Sequence, residues 1–533
     1  MTSPDSGLNS ALLNAARELV DRNVYEGRGE KTAILCGERA VSYRALKTEV
    51  DRVARALLRS GIREGERVAI LLPDGPEFAI AFFAAMKIGA VAVPLSTLLS
   101  AAEHRFMLRD SDAAALVFAQ DFHTSISKPL PDLPRLRVVV AVGPRGEAAP
   151  PPSGACDWRD WIDSLNSACD VIADAAPTRE RDPAFWLYTS GTTGKPKAAV
   201  HLHHHMLDAA DLYAKGVLGL REDDVCFSVA KLFFAYGLGN GLYFPFRVGA
   251  TAVHLPGKPT PGAVFAVIAR HAPTVFYSVP TSFVGLGEEA RRRELRSLGR
   301  VRLAVSAGEH LPAAVFEEWR QRFGVEILDG IGSTEILHIF IANRPARARA
   351  GSTGEIVPGY EARVEDETGR ELPSGQVGDL VIHGPTNMPE YWARPEESAR
   401  TVRDGWIRTG DKFHRDADGY FWFHGRTDDM LKVSGYWVSP AEVEAAITSH
   451  ADVLECAVVG RRDERGLDRP LAWIVPREGA GPPATLIHNV RAFLAGRLAP
   501  FKIPAWFEIA EALPRTATGK LQRFKLRSGR PLC

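Results

Sequence analysis

The chain has 533 residues, too many for one ordinary hydrophobic core, so roughly two to four structural units are expected. Its 65 lysines and arginines balance 65 aspartates and glutamates, which excludes the global basic field that gathers proteins onto nucleic acid or anionic membrane, though not a local patch. The six cysteines, at 36, 156, 169, 226, 456 and 533, lack metal-type pairing, so neither a disulfide framework nor a zinc site is expected.

The opening Met1-Thr-Ser-Pro-Asp5 lacks the basic start and apolar run of a signal peptide, and no stretch approaches roughly 18 uninterrupted apolar residues. A cytoplasmic location is expected. From Ala40 to Val93 a Ser-capped amphipathic helix leads into Arg67-Val-Ala-Ile-Leu-Leu72; a second helix ends near Gly89, and Ala90-Val-Ala-Val-Pro-Leu95 follows. Buried strands alternating with helices imply parallel βαβ units. Similar runs at Ala114 to Phe118, Val138 to Val142, Ala252 to Leu255, Val275 to Val279 and Leu303 to Ser306 extend this into a large α/β domain. Residues 143 to 156, crowded with Pro, Gly and Ala, read as a surface loop.

After about Gly351 short β-type runs separated by Gly and Asp turns take over, as in Gly378-Asp-Leu-Val-Ile-His-Gly384 and Gly419-Tyr-Phe-Trp-Phe-His-Gly425, which predicts a β-rich subdomain. Beyond Arg426 come a helix from Ser439, strands Cys456 to Gly460 and Leu471 to Pro476, a helix from Thr485 and a Lys-rich tail. This places a small mobile α+β C-terminal domain at 428–533 after an N-terminal domain of 1–427.

The strongest local signal is Trp186-Leu-Tyr-Thr-Ser-Gly-Thr-Thr-Gly-Lys-Pro-Lys197, a strand entering a loop of hydroxyl residues, two glycines and two lysines. Exposed amides, hydroxyls and cations can hold a polyphosphate. It is not a Walker A loop, because two residues separate Gly191 from Gly194 and Pro196 follows Lys195. Taken alone, a Gly/Thr surface turn would read the same way.

This segment resembles the signature loop of the adenylate-forming superfamily, which contains acyl-CoA synthetases, luciferases and peptide-synthetase adenylation domains. Further matches follow in order: Asp329-Gly-Ile-Gly-Ser-Thr-Glu335, Thr409-Gly-Asp411, Gly425-Arg-Thr-Asp-Asp429, Lys432-Val-Ser-Gly435 and Pro514-Arg-Thr-Ala-Thr-Gly-Lys520. The resemblance spans about residues 40 to 525 and implies an α/β fold with two sheet subdomains and a β-rich subdomain before the small C-terminal domain. It implies activation of a carboxylic acid with ATP and Mg2+ as an acyl-AMP, pyrophosphate departing, and transfer of the acyl group to a thiol such as CoA.

Carried over motif by motif, the resemblance puts Thr189, Ser190, Gly191, Thr192, Thr193, Gly194 and Lys195 around the β- and γ-phosphates, Thr334 on the α-phosphate, and Glu335 on Mg2+. Asp411 takes the ribose hydroxyls with Arg426 beside it, and adenine lies between Gly308-Glu309-His310 and Asp329-Gly330-Ile331-Gly332. Lys520 reaches the carboxylate oxygen and α-phosphate, a point charge that stabilises an in-line displacement. Asp428 maps to a hinge, and Ser434, Gly435 and Tyr436 line the pantetheine tunnel. The residues alone leave ordinary readings open: a solvated carboxylate at Glu335, a turn aspartate at Asp411, a turn glycine at Gly435.

The stretch Ala230-Lys-Leu-Phe-Phe-Ala-Tyr-Gly-Leu-Gly239 carries Phe234 where many relatives have a histidine. With His338 it looks like benzoate-CoA ligases and relatives acting on substituted benzoates. Phe234, Ala235, Tyr236, Gly237, Ile331, Gly332 and His338 would then form a flat apolar slot for an aryl ring, Phe233 belonging to the core. Tyr236 or His338 is expected to hydrogen-bond an amino or hydroxy substituent, which keeps anthranilate a rival to benzoate. Arg461, Arg462 and Arg465 read as a CoA-phosphate contact or as a solvated turn. His201, His203, His204 and His205 lack a partner set and read as helix-start and packing residues. Three other functions stay open: an adenylation enzyme loading a carrier protein, a medium-chain fatty acyl ligase, and a catalytically dead scaffold. The expected partners are the acid, ATP and CoA, with a homodimer left open.

Overall fold

A computed structural model describes residues 11–126, 133, 135–143, 154–164, 174–190, 196–433, 436–463, 468–495, 497–515 and 521–527. Among these, two large sheets form the layers that the Val/Ile-rich runs predict. One has seven strands in the order Cys156–Asp157, Val138–Val142, Ala115–Ala119, Arg67–Leu71, Val91–Pro94, Pro183–Ser190 and Pro196–Leu202, parallel except for the last pair. The other has nine, with Val225–Ser228, Val275–Ser278, Leu303–Ser306 and Ile327–Gly332 running parallel at its centre.

Helix Tyr43–Arg59 starts where expected, because the Ser42 side chain accepts the Ala45 N–H. Leu46, Val50, Val53, Ala54 and Leu57 recur at helical spacing and are buried, facing helix Pro76–Lys87. The expected loop at 143–156 needs one correction. Its last residue, Cys156, begins a short strand that pairs with Val140 and Ala141, the parallel neighbour supplying hydrogen bonds that composition does not foretell. Residues 144–153 lie outside the described set.

Past Gly351 a third sheet pairs Glu361–Glu365, Gly378–His383, Val402–Arg403, Trp406–Arg415 and Phe421–Arg426, antiparallel throughout. The last hundred residues add Pro440–Thr448 and Pro483–Leu494 as helices beside a sheet of Val453–Arg462, Asp468–Pro476 and Trp506–Ile509. Among the described residues no helix is long and apolar enough to cross a membrane.

A partly buried ion pair ties the central strands together. Asp224, at the mouth of Val225–Ser228, accepts two bonds from Arg302 (3.0 and 2.6 Å), one from Thr274 (2.7 Å) and the Arg221 N–H (2.8 Å). Burial works to raise this carboxyl, yet the Arg302, Thr274 and backbone donors together hold it below its ordinary value. A depressed carboxylate stabilises the fold above its unfolded value, near 3.9, and that stability drains as pH falls through the lower folded value. Arg302→Met is therefore expected to cost on the order of 2 kcal/mol at pH 7. It should also shrink the acid dependence of the urea midpoint, and an unchanged acid limb would contradict this.

Candidate functional site

The nine-stranded sheet reverses direction where its parallel centre ends at Ile327–Gly332. Ile327–Gly332 runs parallel to Leu303–Ser306 and antiparallel to Ile339–Ala342, and residues 333–338 make the turn between them. Strand ends at such a reversal leave a crevice. Here it is a cavity of about 810 Å³ lined by Thr189, Gly308, Glu309, Asp329, Gly330, Ile331, Gly332, Thr334, Glu335, Asp411 and Arg426. These are residues expected at the nucleotide, drawn from three sheets around one cavity. Gly191, Thr192, Thr193, Gly194, Lys195, Ser434, Gly435 and Lys520 lie outside the described residues, as do the side chains of Ser190, Asp428 and Tyr436.

Thr334 and Glu335 occupy a short 3-10 turn, Thr334–Ile336, instead of the start of a longer helix. Its carbonyls are held from outside: Met388 N–H donates to Glu335 O at 2.8 Å and the Thr386 hydroxyl to Ile336 O at 2.7 Å. Leu337 closes the turn at φ +71°, and a Cβ on Gly332 would sit 2.6 Å from the His338 carbonyl oxygen, so only glycine fits. The Tyr391 hydroxyl donates to Glu335 Oε1 at 2.6 Å, while Oε2 takes no hydrogen bond from the described residues. Burial and the Glu335 charge push the Tyr391 phenol up, so it stays a donor. Glu335 is thus fixed on one oxygen and offers the other, the donor set a hard cation such as Mg2+ takes.

Asp411 follows Gly410, whose φ of +74° turns the Trp406–Arg415 strand there. Across the ladder Arg426 stands opposite Asp411 and donates to its Oδ1 at 2.9 Å and to Thr409 O at 3.2 Å. Asp411 is therefore a buried, oriented carboxylate, not a solvated turn residue. In the same lining Gly308 adopts φ +93°, His310 stacks against Phe423 at 5.9 Å, and Asp329 is pushed well up by burial.

Of the residues expected to hold the acid, Ile331 and Gly332 line this cavity, whereas Phe234, Ala235, Tyr236, Gly237 and His338 are not among its lining residues. The buried His338 ring is surrounded by Tyr213, Tyr236, Tyr243 and Phe244, with centroids 4.4 to 6.3 Å away. Phe233 is core, as expected. One expectation needs correcting: the Tyr236 hydroxyl points at the carbonyls of Ser278 (3.2 Å) and Val305 (3.1 Å), so its proton is already committed. His338 Nε2 donates to Tyr236 O at 3.2 Å, and burial pulls the ring down to about 3. It is neutral, and its bare Nδ1 is a buried acceptor without a partner among the described residues.

The C-terminal residues reach the same cavity. Arg515 donates to Glu309 at 2.7 Å and to Glu455 at 3.0 Å, Arg477 pairs with Glu288, and Arg515 forms a β-bridge with Leu521, which also lines the cavity. Tyr391 and Thr281, whose hydroxyl bonds Glu309, had no signal in the sequence, because strand pairing and contacts between distant segments bring them in; Arg515 lies in the Pro514–Lys520 motif, but its pairing with Glu309 was not foreseen. Arg461 lies 5.0 Å over the Trp506 ring and 3.8 Å from Glu508, so it is engaged locally; Arg465 and Gly466 are outside the described residues. The histidines do not converge as metal ligands: His203 accepts from Ala15 N–H, His204 pairs with Asp208, and His201 faces His205. Among the described residues no group of three or more His, Cys, Asp or Glu side chains is placed to hold a metal.

Comparison with known proteins agrees with this geometry. The AMP-binding enzyme family matches residues 20–392, and the AMP-binding enzyme C-terminal domain matches residues 442–520. A benzoate–CoA ligase from Thauera aromatica is 44% identical over 520 residues, covering 97% of this chain and 96% of that one. The crystal structure of the anthranilate CoA ligase AuaEII in complex with anthranoyl-AMP superposes with a TM-score of 0.91 at 40% identity, covering 99% of both chains. That of a benzoate CoA ligase from Burkholderia xenovorans LB400 gives 0.87 at 41%, covering 97% of this chain and all of the other.

Proposed function

This chain belongs to the AMP-binding enzyme family, and from that premise we propose that it is an AMP-forming aryl-CoA ligase acting on benzoate or a substituted benzoate. The observation that carries the reading is the convergence of Thr189, Thr334, Glu335 and the Asp411–Arg426 pair on one cavity that Arg515 and Leu521 also line.

A carboxylate repels nucleophiles and has no good leaving group, and esterifying it to the α-phosphate of AMP removes both obstacles. The chain's part is to place charges and donors where the phosphates gain negative charge. Thr334 serves the α-phosphate, and the free Glu335 Oε2 suits Mg2+, which when bound supplies positive charge against the phosphates. Asp411, oriented by Arg426, offers its carboxylate to the ribose hydroxyls. Gly308 and Gly330 let backbone approach a flat base from two sides. Lys520 neutralises charge between the acid and the α-phosphate, then withdraws when a domain of 428–533 turns about Asp428 to admit CoA beside Ser434, Gly435 and Tyr436. CoA is the proposed acceptor; a separate carrier protein is the rival.

For the acid, the aromatic cluster around His338 supports a ring in preference to an alkyl chain. His338 Nδ1 adds a buried acceptor that an amino or hydroxy donor on the ring would satisfy, which supports anthranilate as a second reading. The test is acid-dependent AMP release with Mg-ATP and CoA across benzoate, 2-aminobenzoate, 4-hydroxybenzoate, octanoate and acetate, the thioester identified by mass. An aryl acid should exceed octanoate and acetate by at least about 100-fold in kcat/KM, the scale set by leaving a fitted pocket unfilled. Preference for 2-aminobenzoate over benzoate would assign Nδ1 to the substituent. Dominance by octanoate, or transfer only to a carrier protein, would overturn the proposal.

A further inference from the structure

We infer that His201 is a positioning residue for adenylation, holding the Thr334–Glu335 turn through the Thr334 carbonyl; the inference rests on the reading of that turn given above. The imidazole is fully buried, and its Nε2 lies 2.8 Å from the Thr334 carbonyl oxygen. A carbonyl only accepts, so Nε2 carries the proton. Burial pulls the ring down to about 4, so it is neutral at pH 7 and Nδ1 is bare. That Nδ1 stands 3.1 Å from His205 Nδ1, and the proton between the two belongs to His205. Donation therefore runs from His205 to His201 to the Thr334 carbonyl. The 3.4 Å approach of Leu202 N–H to His205 Nδ1 then sets one N–H against another and is no rival bond. Phe185 stacks on the His201 ring, 5.1 Å away with planes 20° apart, and fixes its orientation.

The strand that carries His201 explains why this contact bears on the reaction. On the same strand, Pro196–Leu202, Ala198 O accepts the Trp392 N–H at 2.8 Å and the Val200 N–H donates to Glu390 O at 3.1 Å. Between those two anchored residues lies Tyr391, whose hydroxyl holds the Glu335 carboxylate. One strand thus sets both members of the pair, Thr334 through the His201 imidazole and Glu335 through Tyr391. The turn contains a non-glycine residue at positive φ, Leu337, a conformation that persists only where its surroundings over-determine it. Without the His201 donor the turn loses one anchor, and a displacement of about 1 Å at a phosphate-binding group can cost about 100-fold in rate.

The experiment compares His201→Leu, which keeps the bulk against Phe185 but has no donor, with His201→Gln, which returns an N–H near Nε2. Each is assayed in two halves: acid-dependent ATP–pyrophosphate exchange, and thioester formation from presynthesised benzoyl-AMP and CoA. His201→Leu should lose at least about tenfold in exchange kcat with a smaller change in the KM for the acid, His201→Gln should recover most of it, and the second half should stay within about twofold for both. Exchange at the wild-type rate in His201→Leu, or an equal fall of both halves, would overturn the role. Should His201→Leu not fold, His201→Asn, too short to reach the carbonyl, takes its place under the same criteria. Glu335→Gln run alongside separates the claims. Its retention of exchange would overturn the reading of the turn, whereas its loss beside a fully active His201→Leu would overturn only His201.

Discussion

Lys520→Ala is expected to slow acid-dependent pyrophosphate exchange by about 100- to 1,000-fold, the loss typical of removing one preorganised electrostatic group from a reacting centre. Thioester formation from presynthesised benzoyl-AMP should stay within about twofold, because on the proposed mechanism Lys520 has withdrawn before the thiol attacks the acyl carbon and contributes nothing to that transition state. Lys520 lies outside the described residues, but Arg515 and Leu521, on either side of it, bridge to one another and line the cavity with Thr334, Glu335 and Asp411. Lysine suits the task because its ammonium is a point charge on a flexible stem that can approach and leave. Single-turnover measurement of the two halves decides it. Equal loss in both would show that Lys520 supports the fold or both reactions, and no loss in the first would remove it from adenylation.

The second large effect lies far from that centre. Lys87, 1% exposed at the end of helix Pro76–Lys87, donates to Asp21 at 3.0 and 2.8 Å and also pairs with Asp51, whose other oxygen takes Lys47 at 2.6 Å. Two cations and two carboxylates are thus enclosed between the N-terminal helices. Lys87→Met leaves the carboxylates buried with half their compensation, and the expected loss is about 3–5 kcal/mol, read as a fall in the urea midpoint. Burial already raises the Asp21 carboxyl above its ordinary value despite Lys87. A carboxyl raised in the folded state costs stability as pH climbs through its unfolded value towards the folded one. The deficit of Lys87→Met should therefore be larger at pH 8 than at pH 5. Converting Asp21 and Asp51 to Asn in the same chain should recover much of it, since a neutral amide is far cheaper to bury than an unpaired charge. A deficit that is independent of pH would point to lost packing around the lysine stem instead.

Much of this protein is legible in its sequence because the signals are local. Strands such as Val138–Val142 and Leu303–Ser306 appear where their apolar runs predict, since short apolar runs that are largely buried in a parallel sheet leave little choice of structure. The Ser42 cap, Gly332 against the His338 carbonyl and Gly410 before Asp411 are likewise dictated by what a few adjacent residues can adopt. The motifs, read in order, also name the chemistry, because phosphate, diol and acyl-AMP each demand particular donors.

What only the tertiary structure decided is which groups are spent and which are free. Tyr236 looked like a reader of ring substituents, yet its hydroxyl is committed to two carbonyls of neighbouring strands, and the acceptor left over is His338 Nδ1. His201 looked like packing, yet it donates to a residue 133 positions away. Tyr391 and the Lys87 network carry no local signature, because their partners are fixed by strand pairing and helix packing across distant parts of the chain. A sequence specifies which hydrogen-bonding groups exist; their allocation depends on burial, where an unpaired polar atom is expensive enough to choose its partner wherever the fold supplies one.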